Sequence, residues 1–166
     1  MASEAKLLVD FQDAREQEQW YAVNDGVMGG VSSGGFAVGE STGVFAGEVS
    51  LENNGGFASV RRRPRDYGLS GMQAIRLRAL GDGKTYRFRI KTDETFDGVF
   101  YQTHFKTEKD AWEEHVLPFA EFYASFRGRR VEAPPLDPVQ IRQIGFLIAE
   151  KQTGPFRLEI DWIKAE

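Results

Sequence analysis

Residues 74–91 read Ala74-Ile75-Arg76-Leu77-Arg78-Ala79-Leu80-Gly81-Asp82-Gly83-Lys84-Thr85-Tyr86-Arg87-Phe88-Arg89-Ile90-Lys91. Successive side chains of a strand point to opposite faces, so strict alternation marks a strand with one buried side. Ile75, Leu77 and Ala79 share one face of the first run, with Arg76 and Arg78 on the other. Tyr86, Phe88 and Ile90 share one face of the second, with Arg87, Arg89 and Lys91 opposite. Gly81-Asp82-Gly83 between the runs predicts a hairpin turn. That pairing places all the cations of both runs on one side.

The same grammar extends in both directions. Upstream, Leu7-Leu8-Val9-Asp10-Phe11 has strand length, and residues 13–19 form a charged connector with room for one helical turn. Residues 20–61 are a glycine-rich platform of loops and strands with no helical pattern, in which Asn24-Asp25-Gly26 and Asn53-Asn54-Gly55-Gly56 predict tight turns, the second joining two strands as a hairpin. Residues 57–63 predict a strand stopped by Pro64. Downstream, Val99, Tyr101, Thr103 and Phe105 alternate with Phe100, Gln102, His104 and Lys106, and residues 111–117 continue the pattern. Residues 119–126 have helix-compatible spacing, and residues 127–138 are a basic, proline-rich loop. One helical turn at residues 139–143 leads to a continuous apolar run, 144–149, which reads as a central strand. Phe156, Leu158, Ile160 and Trp162 close the chain with a last alternating strand. Short strands at regular spacing predict an all-β fold, an antiparallel β-sandwich of the jelly-roll kind in a single domain over residues 1–166.

Composition narrows the functions. A chain of 166 residues with 41% apolar content and net charge −4 is an ordinary globular protein, without the positive excess of a nucleic-acid binder. No specific nucleic acid is expected as a partner. The absence of cysteine excludes disulfides and thiol chemistry, and two histidines are too few for a zinc site without it. No apolar run approaches the roughly 20 residues that span a bilayer. The short polar opening, Met1 to Lys6, has neither a signal-peptide core nor an Arg-rich presequence, so a bacterial, cytoplasmic protein is expected.

Several motifs fail on context. Gly30-Val31-Ser32-Ser33-Gly34 spells G-x-S-x-G, but glycines and a strand follow it where a nucleophile elbow needs a helix. Gly83-Lys84-Thr85 lacks the upstream glycine of a phosphate loop. Asp93-x-Thr95-x-Asp97-Gly98 begins like a calcium loop but meets His104 where the bidentate glutamate belongs. His104 with a neighbouring carboxylate is the best acid–base pair on offer, and no spacing sets a nucleophile beside it. The expectation is no enzyme, no cofactor and no metal. Asp10, Asn24 and Asp25 are the donors a structural calcium would draw on, and the balance falls against it.

A resemblance adds to this reading. Trp20, the run Val23-Asn24-Asp25-Gly26-Val27-Met28-Gly29-Gly30-Val31-Ser32, and residues 45–61 are similar to the complex I intermediate-associated protein family. The similarity continues through Gly81-Asp82-Gly83, Tyr101-Gln102, Trp112 with Leu117-Pro118-Phe119, Phe126-Arg127-Gly128 and Gly154-Pro155-Phe156. The resemblance implies a galactose-binding-like sandwich and a role in assembling a membrane redox complex, respiratory or photosynthetic, through a protein client. The alternative is a carbohydrate-binding module, with a glycan or other small ligand as partner. Binding candidates are Arg76, Arg78, Arg87, Arg89, an exposed Phe100, Gln102 and His104 on the basic face, and Asn24, Asp25 and Met28 in the distinctive loop. Arg61 and Arg63 extend the face if their strand lies alongside, and Trp112 joins the aromatic set on the carbohydrate reading.

Overall fold

The computed structural model describes residues 5–28, 30–52 and 56–166, with Val27 and Met28 in backbone only. Thirteen strands run β1 (Lys6–Val9), β2 (Trp20–Ala22), β3 (Ser33–Val38), β4 (Gly43–Val49), β5 (Ala58–Arg62), β6 (Ala74–Leu80), β7 (Thr85–Lys91), β8 (Phe100–Lys106), β9 (Trp112–Pro118), β10 (Tyr123–Phe126), β11 (Arg129–Arg130), β12 (Gln143–Ile148) and β13 (Gly154–Ala165). Sheet one has the order β3-β4-β13-β6-β9, with β1 also on β13. Sheet two has the order β11-β10-β8-β7-β12-β5-β2. The strand pairs within both sheets are antiparallel. The fold is an all-β, galactose-binding-like sandwich.

The predicted faces pack against each other between the sheets. Ile75, Leu77 and Ala79 from β6, Tyr86, Phe88 and Ile90 from β7, and Phe156, Leu158 and Ile160 from β13 are all buried in one cluster. Phe45 of sheet one meets Phe156 edge-on at 4.8 Å and reaches Tyr86 of sheet two at 6.2 Å. Each such aromatic or aliphatic side chain contributes roughly 1.5–3 kcal/mol on burial. At the open end, Trp20 of β2 stacks on Phe36 of β3 at 4.0 Å. Its indole N–H donates to Glu16 Oε1, which also accepts from Arg62 Nε at 2.6 Å. Buried carboxylate, buried guanidinium and indole thus satisfy one another, as a buried ion pair requires.

Two hairpin expectations fail. β6 and β7 are not a hairpin: they lie in opposite sheets, and residues 81–84 carry the chain across the sandwich. Period-two alternation identifies the apolar face of each strand, and facing strands satisfy it as well as adjacent ones. The crossing is held by side chains. Asp82 accepts from Tyr86 Oη at 3.0 Å and from the Arg157 backbone N–H at 2.8 Å. Thr107 Oγ1 donates to the Lys84 carbonyl at 2.7 Å and accepts from the Gly83 N–H. Gly81 passes so close to Thr107 that a Cβ would stand 2.1 Å from the threonine Cβ. β7 pairs instead with β8, in a hairpin around residues 93–98.

Smaller differences are local. The platform does contain a helical turn, a 3-10 turn at Asp25–Met28. Residues 119–126 divide into a 3-10 turn, Phe119–Glu121, and strand β10. The proline-rich loop contains the short strand β11. The connector after Asp13 is a 3-10 helix, Ala14–Gln19, capped by the Asp13 carboxylate. Asn53, Asn54 and Gly55 of the predicted turn lie outside the described residues, but the strands on either side, β4 and β5, belong to opposite sheets, so they do not form the expected hairpin.

Candidate functional site

Because β6 and β7 face each other, the predicted basic face is split between the two outer surfaces. Arg76 and Arg78 lie on sheet one and are paired there. Arg76 bonds Glu166 at 3.2 Å and Glu114 at 3.3 Å; Arg78 bonds Asp161 at 2.8 Å and covers the Trp112 ring. Trp112, on the edge strand β9, is therefore on the opposite side of the molecule from Phe100. These cations have the acidic neighbours that an outer sheet face normally provides.

The outer face of sheet two is different. Backbone register places Tyr21 opposite Arg61, Arg61 opposite Gly145, Gly145 opposite Arg89, Arg89 opposite Gln102, and Gln102 opposite Tyr123. The result is a single row across β2, β5, β12, β7, β8 and β10. Arg61 is brought into the site by β5 lying beside β12, while Arg63 turns away to the Glu18 carbonyl. Phe100 is 6% exposed, not the open aromatic expected, because Arg89 covers its ring at 3.7 Å and Arg61 at 4.6 Å. Both guanidiniums lie over that one ring.

Their surroundings leave them underpaired. Arg61 Nη1 donates to the Phe96 carbonyl at 2.5 Å, and the Tyr21 hydroxyl lies against the same guanidinium. Arg61 Nε and Arg89 Nε are shielded from water and, among the described residues, have no hydrogen-bond partner. Among the described residues, neither arginine has an ion-pair partner; Asp97, the carboxylate that Arg61 senses, is bound to Arg127 at 2.9 Å. Burial, then repulsion from Arg61 and Arg87, pushes Arg89 down to about 9. A cavity of ≈ 10 Å³ opens between them, lined by Arg61, Arg89, Phe100, Gly145, Gln143 and Lys91.

The neighbouring candidates are satisfied. Lys91 is fully buried, yet its ammonium donates to Asp93 Oδ1, Thr95 Oγ1 and the Asp97 carbonyl. Arg87 bonds Glu150 at 3.1 Å, and His104 Nε2 lies 2.5 Å from the same Glu150 oxygen. Arg87 Nε also points at His104 Nε2, at 3.1 Å, so that nitrogen either donates to Glu150 or accepts from Arg87. Burial would raise Glu150, but the Arg87 hydrogen bond and the charge of His104 hold it below the ordinary carboxylate range. The predicted His–carboxylate pair does form, then, as a rim ion-pair network with the imidazole stacked on Tyr123. Gln102 Nε2 donates to the Tyr123 hydroxyl, and its Oε1 is buried without a partner. Past Tyr123, at the β10 edge, lies an open groove of ≈ 530 Å³ lined by Tyr101, Phe122, Tyr123, Ala124, Arg130 and residues 131–136.

The loop candidates have structural work. Asp25 is fully buried and accepts backbone N–H bonds from Ser32 at 2.9 Å, Gly56 at 2.7 Å and Phe57 at 3.3 Å. Burial acts to raise it, but those bonds outweigh it and leave the carboxyl below its usual range. Asn24 ties the Ser59 N–H to the Gly34 carbonyl. The Met28 side chain lies outside the described residues. Asp10 is occupied by the Gln12 N–H. Among the described residues no group of three or more His, Cys, Asp or Glu gathers as a metal site, and no helix is long and apolar enough to cross a membrane.

Comparison with known proteins matches this architecture. A profile of the Complex I intermediate-associated protein 30 family aligns with residues 9–160. The chain belongs to that family. Family relatives include Complex I intermediate-associated protein 30, mitochondrial, of Mus musculus, 28% identical over 96% of this chain and 56% of the relative. The Drosophila melanogaster protein of the same name is 25% identical over 98% of this chain and 63% of its own length. The chain thus spans less than two thirds of these relatives. Among solved structures, a family 11 carbohydrate-binding module of a Clostridium thermocellum cellulase superposes with TM-score 0.72 at 19% identity, covering 99% of this chain and 95% of the module. An agarase superposes at 0.66 and 13% identity over 99% of this chain and 25% of the enzyme. These structural likenesses establish the sandwich.

Sequence reasoning missed Gly145, Tyr21 and Tyr123 as members of the row. Gly145 carried a signal, since a glycine inside an apolar strand marks a close approach. Tyr21 and Tyr123 carried none, because cross-strand register is not written in one strand.

Proposed function

We propose that this protein is a non-catalytic assembly factor that binds a protein client during biogenesis of a membrane redox complex. Family membership supports the class of role, and the outer face of sheet two supports the site: two guanidiniums over one aromatic ring, without acidic partners among the described residues. The clamp comprises Arg61, Arg87, Arg89, Phe100, Gln102 and His104. Capture of tagged protein from its host, with bound proteins identified by mass spectrometry, tests the reading. Arg87→Glu with Arg89→Glu is expected to abolish capture of redox-complex subunits while the domain stays folded; capture retained by the folded double variant overturns the site. We place the protein in the cytoplasm, whereas the two animal relatives are named as mitochondrial; fractionation of host cells distinguishes these addresses.

A second reading has its own support. One solved structure of the family 11 module holds a β-1,3-1,4-mixed-linked tetrasaccharide, and the row here ends in two tyrosines. A carbohydrate-binding role predicts heat on titration with glycans; silence across a broad glycan panel removes it.

A further inference from the structure

We propose that Arg61 and Arg89 form a seat for a carboxylate, and that the occupant is an acidic side chain of a client protein segment. The client rests on the assembly reading above; the seat rests on the geometry alone.

Two guanidiniums sharing one ring repel each other, and among the described residues no carboxylate pairs with either. The Nε–H groups of both are buried and unbonded, which is costly unless something completes them. Guanidinium forks match the planar geometry of a carboxylate, and burial strengthens the resulting charge-assisted bonds. Gly145 lies between the two arginines in the register, so no side chain fills the gap in the row. The opening of ≈ 10 Å³ admits about one water or the tip of a carboxylate, not a bulky tetrahedral group. Lys91, lining the same opening, is already bonded by Asp93 and Thr95, so the unmet demand belongs to the arginine pair. A carboxylate answers all of it: one oxygen to each Nε–H, with Phe100 beneath.

The test is nuclear magnetic resonance on the full chain, following the arginine Nε–H signals during titration with a hexaglutamate peptide. Hexaglutamine and inorganic phosphate serve as controls. Hexaglutamate is expected to shift the Arg61 and Arg89 signals saturably, and Arg89→Met to weaken binding at least tenfold. Because that variant also removes an uncompensated buried cation, it is expected to melt a few degrees higher than the parent without ligand. Hexaglutamate should raise the melting temperature of the parent only. Equal shifts with hexaglutamine, shifts with phosphate alone, or affinity within twofold in Arg89→Met overturn the seat. A lower melting temperature for Arg89→Met also counts against it, since Arg89 would then serve packing on Phe100. If the Met variant does not fold, Arg89→Lys keeps the charge without the fork and should bind at least fivefold more weakly; parent-like affinity there is equally fatal. Hexaglutamate binding without any captured client would defeat the assembly role and leave the seat. Client capture unchanged in Arg89→Met would do the reverse.

Discussion

At the scale of single residues, the chain separates polar groups that hold the fold from those that are free to act. Asp25 sits in the most distinctive loop of the sequence, yet its carboxylate is spent on three backbone donors from residues 32, 56 and 57. Its folded-state acidity is strengthened, so its contribution is fully present above the unfolded value of roughly 3.9 and is lost as pH falls through that value to the lower folded one. Asp25→Asn places an amide N–H₂ against these donors and is expected to cost roughly 2–3 kcal/mol at neutral pH. Urea denaturation across pH 2–7 checks both parts: the variant should be weaker at pH 7, and its stability should fall less steeply below pH 5. Parallel profiles would mean that Asp25 does not carry the acid sensitivity. Arg89 is the counterpart, a buried charge with no ion-pair partner among the described residues.

At the scale of elements, close approach decides which positions tolerate change. A Cβ on Gly145 would stand 2.3 Å from the Val60 carbonyl oxygen, on the neighbouring strand backbone. Gly145→Ala must push β12 from β5 and is expected to cost about 1–3 kcal/mol. Gly35→Ala, with nothing within 4 Å of its Cβ position, should be within about 0.5 kcal/mol of the parent. Chemical denaturation compares them, and hydrogen exchange should quicken at β5 in the first variant only; equal stability of the two would show that the β12–β5 contact relaxes freely. The same scale explains what the sequence could tell. Alternation in residues 75–79 and 86–90 announced two strands and their buried faces, and the continuous run 144–149 announced a central strand. It did not announce that β6 faces β7 across the core, because a four-residue glycine connection serves a hairpin or a crossing alike. The hairpin reading merged Arg76 and Arg78 with Arg87 and Arg89, whereas the true partner of Arg89 is Arg61, distant in sequence and adjacent only through β12. Site residues defined by register across three strands leave no pattern along any one of them.

At the scale of the whole molecule, the path of the chain ties the two sheets into one unit. Among the described strands, eight of the twelve successive connections switch sheets, leaving only β3–β4, β7–β8, β10–β11 and β11–β12 within one. Neither sheet can complete its order without strands that arrive from the other, and both bury into a common core. Trp20 stacked on Phe36, with Glu16 and Arg62 behind it, fastens the end where loops are longest. Unfolding by heat is therefore expected to be a single transition, with calorimetric and van't Hoff enthalpies equal. Folding should be slow for its size, since so many contacts join distant parts of the chain. Differential scanning calorimetry, with Trp fluorescence of a Trp112→Phe, Trp162→Phe variant followed over the same range, makes the test, because Trp20 then reports the junction of the sheets. Two transitions, or fluorescence melting ahead of the heat signal, would show the sheets coming apart independently. The outcome bears on function. Arg61 belongs to β5 and Arg89 to β7, separated by β12, so the strand order of that sheet sets their closeness. A cooperative sandwich keeps two like charges together, poised for an oppositely charged partner.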